Sequence, residues 1–149
     1  MKIAIGSDHA GYNLKQELVK HLAIKGYEVK DYGTYRAESC DYSDYGRLVG
    51  EAIINKEAER GILVCGTGIG ISIAANKVPG IRAANCTDTF CAHSCRQHND
   101  ANILALGERV TGVGLALDIV DSFLSAEFEG GRHAIRVNKI TDIEKKYNK

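Results

Sequence analysis

The sequence predicts a single α/β domain over residues 1–149, a three-layer α/β/α sandwich of the Rossmann or flavodoxin-like type with a five-stranded parallel sheet. Short apolar runs alternate five times with segments of helical periodicity. The turns between them are short, so successive strands need crossover connections, and such connections make strands parallel. The chain has 149 residues with 16 glycines and one proline, which fits one compact domain with tight turns and no linker.

The first half of the chain supplies three strands and two helices of this pattern. Residues 2–6 form a short apolar run, and leucines at helical spacing then predict a helix over about 12–25. Residues 27–32 alternate in polarity, which predicts a strand with one exposed face. A second helix lies around 48–53. Residues 61–65 are almost continuously apolar, as in a strand buried on both faces.

The second half continues the alternation and adds a charged tail. Its predicted elements are a helix over 71–77, a strand over 81–86, a polar helix over 88–97, a strand over 102–106, an apolar-striped helix over 113–124 and a charged helix over about 138–147. In such sheets, ligands bind outside the carboxyl ends of the strands. Residues that directly follow a strand are therefore the candidates for a site.

Composition argues against several functional classes. Lys plus Arg and Asp plus Glu are both 19, so the formal net charge is zero, unlike that of a generic nucleic-acid binder or a polybasic membrane anchor. No apolar run approaches the roughly 20 residues of a transmembrane helix, and the N-terminus turns polar after Ile5, unlike a signal peptide. Five cysteines cannot all pair within one chain, so we expect free thiols and a cytoplasmic location.

Asp8 and His9 directly follow the first predicted strand, within the motif GSDHAG. One interpretation is that Asp8 only caps the next helix. The other is that two neighbouring ionisable groups at a strand's carboxyl end, flanked by Gly6 and Gly11, belong to a binding site. The second interpretation is favoured, because this is the edge of the sheet where ligands bind.

The motif CGTGIG, residues 65–70, lies at the end of the buried third strand and opens a helix. Its three glycines let the backbone turn sharply and direct amides at an anion, and the helix terminus favours a thiolate at Cys65. The spacing is neither that of a P-loop nor that of a dinucleotide fingerprint. The alternative for Cys65 is an inert thiol buried at a strand end.

A second group of candidates is basic and polar. His98 and Asn99 lie just before the fifth strand, on the amino-end side of the sheet unless the loop folds back or a neighbouring subunit uses them. Arg109 follows that strand at its carboxyl end. Arg132 and Arg136 are four residues apart and would share a helical face, where paired guanidinium groups suit a phosphate.

A metal site is the weaker interpretation of the remaining pattern. Cys91, Cys95 and His98 fall on one helical face, and Cys86 or His93 could be nominated as a fourth ligand. Zinc sites usually show tighter, paired ligand spacing, so the sequence predicts no metal.

Four stretches, namely GSDHAGYNLK, ILVCGTGIGISIAANKVPGIRAA, SCRQHNDANILALGERV and EGGRHAIRV, resemble the B-type ribose-5-phosphate isomerase family, with its allose- and galactose-phosphate relatives. The resemblance covers essentially the whole chain. It implies interconversion of ribose 5-phosphate and ribulose 5-phosphate in the pentose phosphate pathway, without metal or organic cofactor. It also implies a homodimer, in some members a tetramer, with shared active sites, in which the tail of about 128–149 reaches the partner subunit.

The resemblance also implies roles for individual residues. Cys65 would be the base, with Thr67 polarising the substrate or steadying the thiolate, and the amides of Gly66, Thr67, Gly68, Ile69 and Gly70 would stabilise the enediolate. His98 would open the sugar ring. The sugar hydroxyls and ring oxygen would be held by Asp8, His9 and Asn99, and the phosphate by His9, Arg109, Arg132 and Arg136.

Other functions stay open at this stage. An isomerase of a six-carbon sugar phosphate, such as allose 6-phosphate or galactose 6-phosphate, would share most of the machinery. A non-enzymatic phosphate- or nucleotide-binding module would need the glycine loop but neither Cys65 nor His98. A thiol-redox protein has little support, because the chain has no C-x-x-C pair.

Overall fold

A computed structural model describes residues 1–148. The elements run β1 (Lys2–Ser7), α1 (Tyr12–Ile24), β2 (Glu28–Asp31), α2 (Tyr42–Ile54), β3 (Arg60–Cys65), α3 (Ile69–Ala75), β4 (Ala83–Asn85), α4 (Thr89–Asn99), β5 (Ile103–Gly107), α5 (Val113–Ser125) and α6 (Arg132–Tyr147). A single 3₁₀ turn, His9–Gly11, joins β1 to α1. Among these helices, none is long and apolar enough to cross a membrane.

The five strands form one parallel sheet in the order β2-β1-β3-β5-β4. The predicted fold class is therefore confirmed. The chain leaves β1 toward one side for β2 and returns to the other side for β3, so the strand order switches between β1 and β3. A crevice opens outside the carboxyl ends of strands at such a switch.

Two apolar layers hold the helices on the sheet, because successive strand side chains point to opposite faces. Ile5, Ile62 and Leu104 pack with α1, α4 and α5 on one face. On the other face, strand residues that include Leu63 and Cys65 pack with α2 and α3. The last side chain of β3 is thus turned toward the layer formed by α2 and α3.

The observed bounds differ from the predicted ones where packing overrides local sequence. The last helix is 16 residues long and begins at Arg132 rather than near 138, because His133 and Val137 are buried and the helix packs on α4. The tail after the double glycine is therefore a docked helix. The strand predicted over 81–86 shrinks to Ala83–Asn85, since β4 is an edge strand that pairs only with β5.

A buried ion pair holds the segment that follows β2. Lys15 on α1 is 0% exposed, and its Nζ donates to both carboxylate oxygens of Asp31, at 2.8 and 2.7 Å, and to the Thr34 carbonyl, at 2.6 Å. A buried ammonium needs such partners, because its desolvation is costly. The contacts fix the start of the long 32–41 connection, which runs on toward the crevice.

Candidate active site

Cys65 is the last residue of β3, and its side chain is 4% exposed. The backbone N–H of Gly68 donates a hydrogen bond to its Sγ at 3.1 Å. Gly68 has a φ of 80°, and a Cβ there would lie 2.5 Å from Asn85 Oδ1. Only glycine fits this turn, which aims a backbone amide at the sulfur and so stabilises negative charge on it.

Thr67 presents its hydroxyl group at the surface of the same turn. The N–H of Ile69 donates to Thr67 Oγ1 at 3.2 Å, so the hydroxyl hydrogen is left to donate elsewhere. Two of the five amides that the resemblance assigned to substrate oxygens, those of Gly68 and Ile69, thus donate within the loop. They hold the thiol and the hydroxyl in place.

The chain that follows β5 is tied to the loop that follows β3. Glu108 N–H donates to the Cys65 carbonyl at 2.9 Å, and Arg109 N–H donates to the Gly66 carbonyl at 3.0 Å. The backbones approach so closely that a Cβ on Gly107 would lie 2.6 Å from the Thr67 carbonyl carbon. The Arg109 side chain consequently lies along Gly66.

Asp8 has the capping role that the sequence allowed and also lines the crevice. Its Oδ1 accepts from the N–H groups of Ala10, at 3.0 Å, and Gly11, at 3.1 Å. The Nδ1 atom of His9 lies 3.2 Å from both the N–H and the carbonyl oxygen of Cys40. The 32–41 connection, which Lys15 anchors, therefore orients the His9 ring.

These groups enclose one cavity of about 240 Å³ at the carboxyl ends of β1 and β3. It is lined by Asp8, His9, Ala10, Tyr42, Cys65, Gly66, Thr67, Gly70 and Arg109. Seven of the predicted site residues meet here. Sequence reasoning missed Tyr42, whose ring packs so close to Gly70 that a Cβ there would lie 2.8 Å from it. Its only signal was its position at the end of the 32–41 connection, beside Asp41.

Gly68 and Ile69 belong to the same loop without lining the cavity, and the other four predicted residues lie away from it. His98 is near the end of α4, which returns from the carboxyl edge of the sheet to its amino edge before β5 begins. Five strand residues separate the two edges, about 16 Å at the usual rise per residue. Asn99 lines a separate cavity of about 550 Å³ beneath α6. Arg132 and Arg136 are exposed on the first turns of α6.

A network of polar contacts fixes the end of α4. The buried Arg96 donates from Nη1 to Asp100 Oδ1, at 2.8 Å, and to the Ala101 carbonyl, at 2.6 Å. Arg82 donates from Nε to the carbonyls of Asn99 and Asp100. The last turn of α4, and with it the backbone of His98, is therefore held rigidly on the sheet.

The His98 side chain meets two groups that sequence reasoning missed. Its ring stacks on that of His133, with centroids 4.3 Å apart and planes 12° apart, and its Nε2 lies 3.6 Å from Glu129 Oε1. Burial lowers the pKa of His133, and the nearby charges of His98 and Arg132 lower it further. The sequence offered only one hint of these two residues, which is their position. His133 directly follows the predicted Arg132, and Glu129 lies just before the double glycine.

The cysteine-based metal grouping considered from the sequence is not formed by residues 1–148. Within that range, the one group of three or more His, Cys, Asp or Glu side chains close enough to share an ion is His98, Glu129 and His133. Cys86 and Cys95 are instead buried neighbours in the core, and the hydrogen bond that the Cys86 thiol donates to Cys95, together with burial, raises the pKa of Cys86. All five cysteines are free.

Comparison with known proteins gives concordant matches. Residues 3–140 match the model of a family described as Ribose/Galactose Isomerase. Ribose-5-phosphate isomerase B of Escherichia coli is 53% identical over 147 residues, which cover 99% of each chain. A structure of Clostridium thermocellum ribose-5-phosphate isomerase B superimposes with a TM-score of 0.98 at 66% identity, covering 99% of this chain and 100% of that one. The Mycoplasma genitalium enzyme with bound ribulose-5-phosphate gives a TM-score of 0.91 at 43% identity, with 97% and 96% covered.

Proposed function

The chain belongs to the Ribose/Galactose Isomerase family, and on that premise we propose that it interconverts D-ribose 5-phosphate and D-ribulose 5-phosphate. The observation that carries the proposal is the cavity in which a thiol, held by a backbone amide, faces a threonine hydroxyl and an arginine. An aldose and its ketose differ by one hydrogen shift, which needs a base between two carbons and donors for two oxygens. The cavity offers both.

Cys65 is the base in this mechanism. As a thiolate it removes the proton from C2 of the open-chain aldose, and the electron pair of the C–H bond passes to the C1 carbonyl oxygen to give an enediolate. The proton on O2 then passes to O1, and return of the first proton from Cys65 to C1 leaves C2 as the carbonyl carbon of the ketose. The Gly68 amide stabilises the thiolate before the transfer, and the Thr67 hydroxyl donates to the oxygen on which charge develops.

The phosphate is held away from the reacting carbons. Arg109, beside Gly66, and His9 both line the cavity and supply the groups for the phosphate. Binding energy from a distal phosphate can hold C1 and C2 against the thiol, which raises the rate without taking part in the proton transfer.

The active site is completed by a second copy of the chain. One chain places His98, Asn99, Arg132 and Arg136 at the sheet edge opposite Cys65. A two-fold homodimer can set the amino edge of one copy against the cavity of the other, twice by symmetry. Exposed apolar side chains that follow the carboxyl ends of strands support such a contact: Ile69, next to Gly70 of the cavity, is 54% exposed, and Phe90, at the start of α4, is 69% exposed. The helix carrying Arg132 and Arg136, within the 128–149 tail, then reaches the partner.

The first test is an assay of ribose 5-phosphate conversion by the appearance of the ketose, with allose 6-phosphate as the comparison substrate. We expect conversion of the pentose phosphate at a much higher kcat/KM than that of the hexose phosphate, and the same rate with a chelator present. Preference for the hexose phosphate would assign the other substrate class of the family. No turnover of either substrate would contradict the enzymatic proposal.

The five free thiols support a cytoplasmic location.

His98 should act in ring opening and not in the proton shift. We expect His98→Asn to lower kcat/KM for ribose 5-phosphate by roughly 10²-fold, a usual contribution of acid–base catalysis. Turnover of a ribose 5-phosphate analogue that cannot close to a furanose should change little. The matched control is His93→Asn, one turn and a half earlier on α4. Equal loss on both substrates would remove the ring-opening role.

A further inference from the structure

His98, Glu129 and His133 form a cluster of metal-ligand side chains that the isomerase chemistry does not require as a set. Each offers one ligand atom, and these atoms all lie within 4.8 Å of one another. The three come from two helices and the segment between them, since His98 is on α4, His133 is on α6 and Glu129 lies just before α6. The cluster thus draws on parts of the chain more than 30 positions apart in sequence.

The cluster is held in place by its backbone. The Glu129 N–H donates to the Gln97 carbonyl at 3.1 Å, which ties the segment before α6 to the residue preceding His98. His133 is 8% exposed and anchors α6 on α4. The backbone is therefore fixed at Glu129 and at His133. Only rotation of side chains is needed to bring the three ligand atoms into a chelating arrangement.

The donor set favours a borderline metal ion such as Zn²⁺. Two imidazoles and one carboxylate are common zinc ligands at about 2.0–2.2 Å, which places tetrahedral donors roughly 3.3 Å apart. The present donors need to close by at most about 1.5 Å, since His98 Nε2 is already 3.6 Å from Glu129 Oε1, and one stacked ring must turn so that both nitrogens point at the ion. His98 and Glu129 have side chains 44% and 50% exposed, so both are free to make that change.

The surrounding charge sets the strength of such a site. The positive charges of Arg132 and Arg136 act on His133 and oppose a cation, and the single carboxylate of Glu129 offsets only part of that repulsion. With three protein ligands, the fourth position of a tetrahedral ion stays open to water or another ligand. This arrangement is typical of a reversible site and not of a permanently loaded structural one.

We propose that His98, Glu129 and His133 form a reversible site for Zn²⁺ that competes with catalysis. Coordination takes up a ring nitrogen of His98 and so removes the group that opens the sugar ring. The inhibitory consequence rests on the proposed function, whereas zinc binding itself does not. The occupied site lowers turnover of the furanose substrate and spares the open-chain proton shift at Cys65.

The experiment measures Zn²⁺ binding by titration calorimetry on the full-length protein carrying Cys91→Ser, which removes the exposed thiol on α4 as a competing ligand. We expect one Zn²⁺ per chain with micromolar affinity. Glu129→Gln and His133→Gln should each weaken it at least about tenfold, the loss that even an outer partner of a metal ligand causes. His93→Asn is the matched control and should leave the affinity unchanged.

Activity on ribose 5-phosphate is then measured with and without Zn²⁺, followed by a chelator. Inhibition that follows the binding curve and is reversed by the chelator supports the proposal. Binding that is lost in Glu129→Gln but leaves turnover unaffected upholds the metal site and contradicts the role of His98. Absence of stoichiometric binding, or binding that both Glu129→Gln and His133→Gln leave unchanged, overturns the proposal.

Discussion

Replacing Cys65 with alanine should lower kcat by roughly 10²–10⁴-fold, the usual contribution of a general base, and should leave KM nearly unchanged. The thiol lies at the end of β3 with its sulfur held by the Gly68 amide, while the groups assigned to the phosphate are the side chains of other residues. Removing Sγ therefore removes the proton acceptor without removing the binding contacts. Steady-state kinetics on ribose 5-phosphate measures both constants.

The controls for this variant are other cysteines of the same chain. Cys40→Ser and Cys91→Ser change thiols that do not line the cavity, and both should keep wild-type turnover. Near-normal turnover by Cys65→Ala would show that another group moves the proton. A large rise in KM with unchanged kcat would instead assign Cys65 to binding.

Mixing two inactive variants should restore activity if the site is shared between subunits. In a two-fold dimer of Cys65→Ala with Arg136→Ala, one site carries both lesions and the other carries neither. Random exchange makes about half of the dimers hybrid, so roughly a quarter of wild-type activity should return by this symmetry arithmetic. The readout is specific activity after exchange, from a starting level near zero for each variant alone.

The result distinguishes an Arg136 that serves the partner's cavity from one that serves the cavity of its own chain. If Arg136 served the cavity of its own chain, every site in the hybrid would carry one lesion and no activity would return. Mass spectrometry of the native dimers establishes that exchange has occurred. Cys65→Ala mixed with Cys65→Ser is the matched control, because lesions at the same position cannot complement each other.

The sequence predicted the fold because its local signals agree with its packing. The run over 61–65 is apolar throughout, and β3 is buried on both faces between β1 and β5. Where the local sequence pattern and the tertiary packing disagree, the predicted bounds of the helices and strands were less accurate. The start of α6 was missed because residues 132–137 mix charged and apolar side chains, and the helix is stabilised there by burial of His133 and Val137 on α4.

The residues of the candidate site likewise fall into those that local sequence predicted and those that only tertiary packing brings together. Asp8, Cys65 and Arg109 were predicted together because each lies at or just after the end of a strand, and parallel strands bring their carboxyl ends to one edge. Tyr42 could not be found, since the 32–41 connection before it has no periodicity and its path is set by the buried Lys15. The grouping of Glu129 with His98 depends on how α6 docks, which no motif in the chain records.

The hydrogen bonds between the chain after β3 and the chain after β5 have a consequence for the entropy of substrate binding. Ordering a flexible backbone costs roughly 1–2 kcal/mol per residue. The carbonyls of Cys65 and Gly66 are already joined to the amides of Glu108 and Arg109 before any ligand arrives. The backbone that contacts the substrate is therefore already ordered in the folded protein. Substrate binding does not carry the entropic cost of ordering this loop, so the free energy of the contacts contributes to affinity.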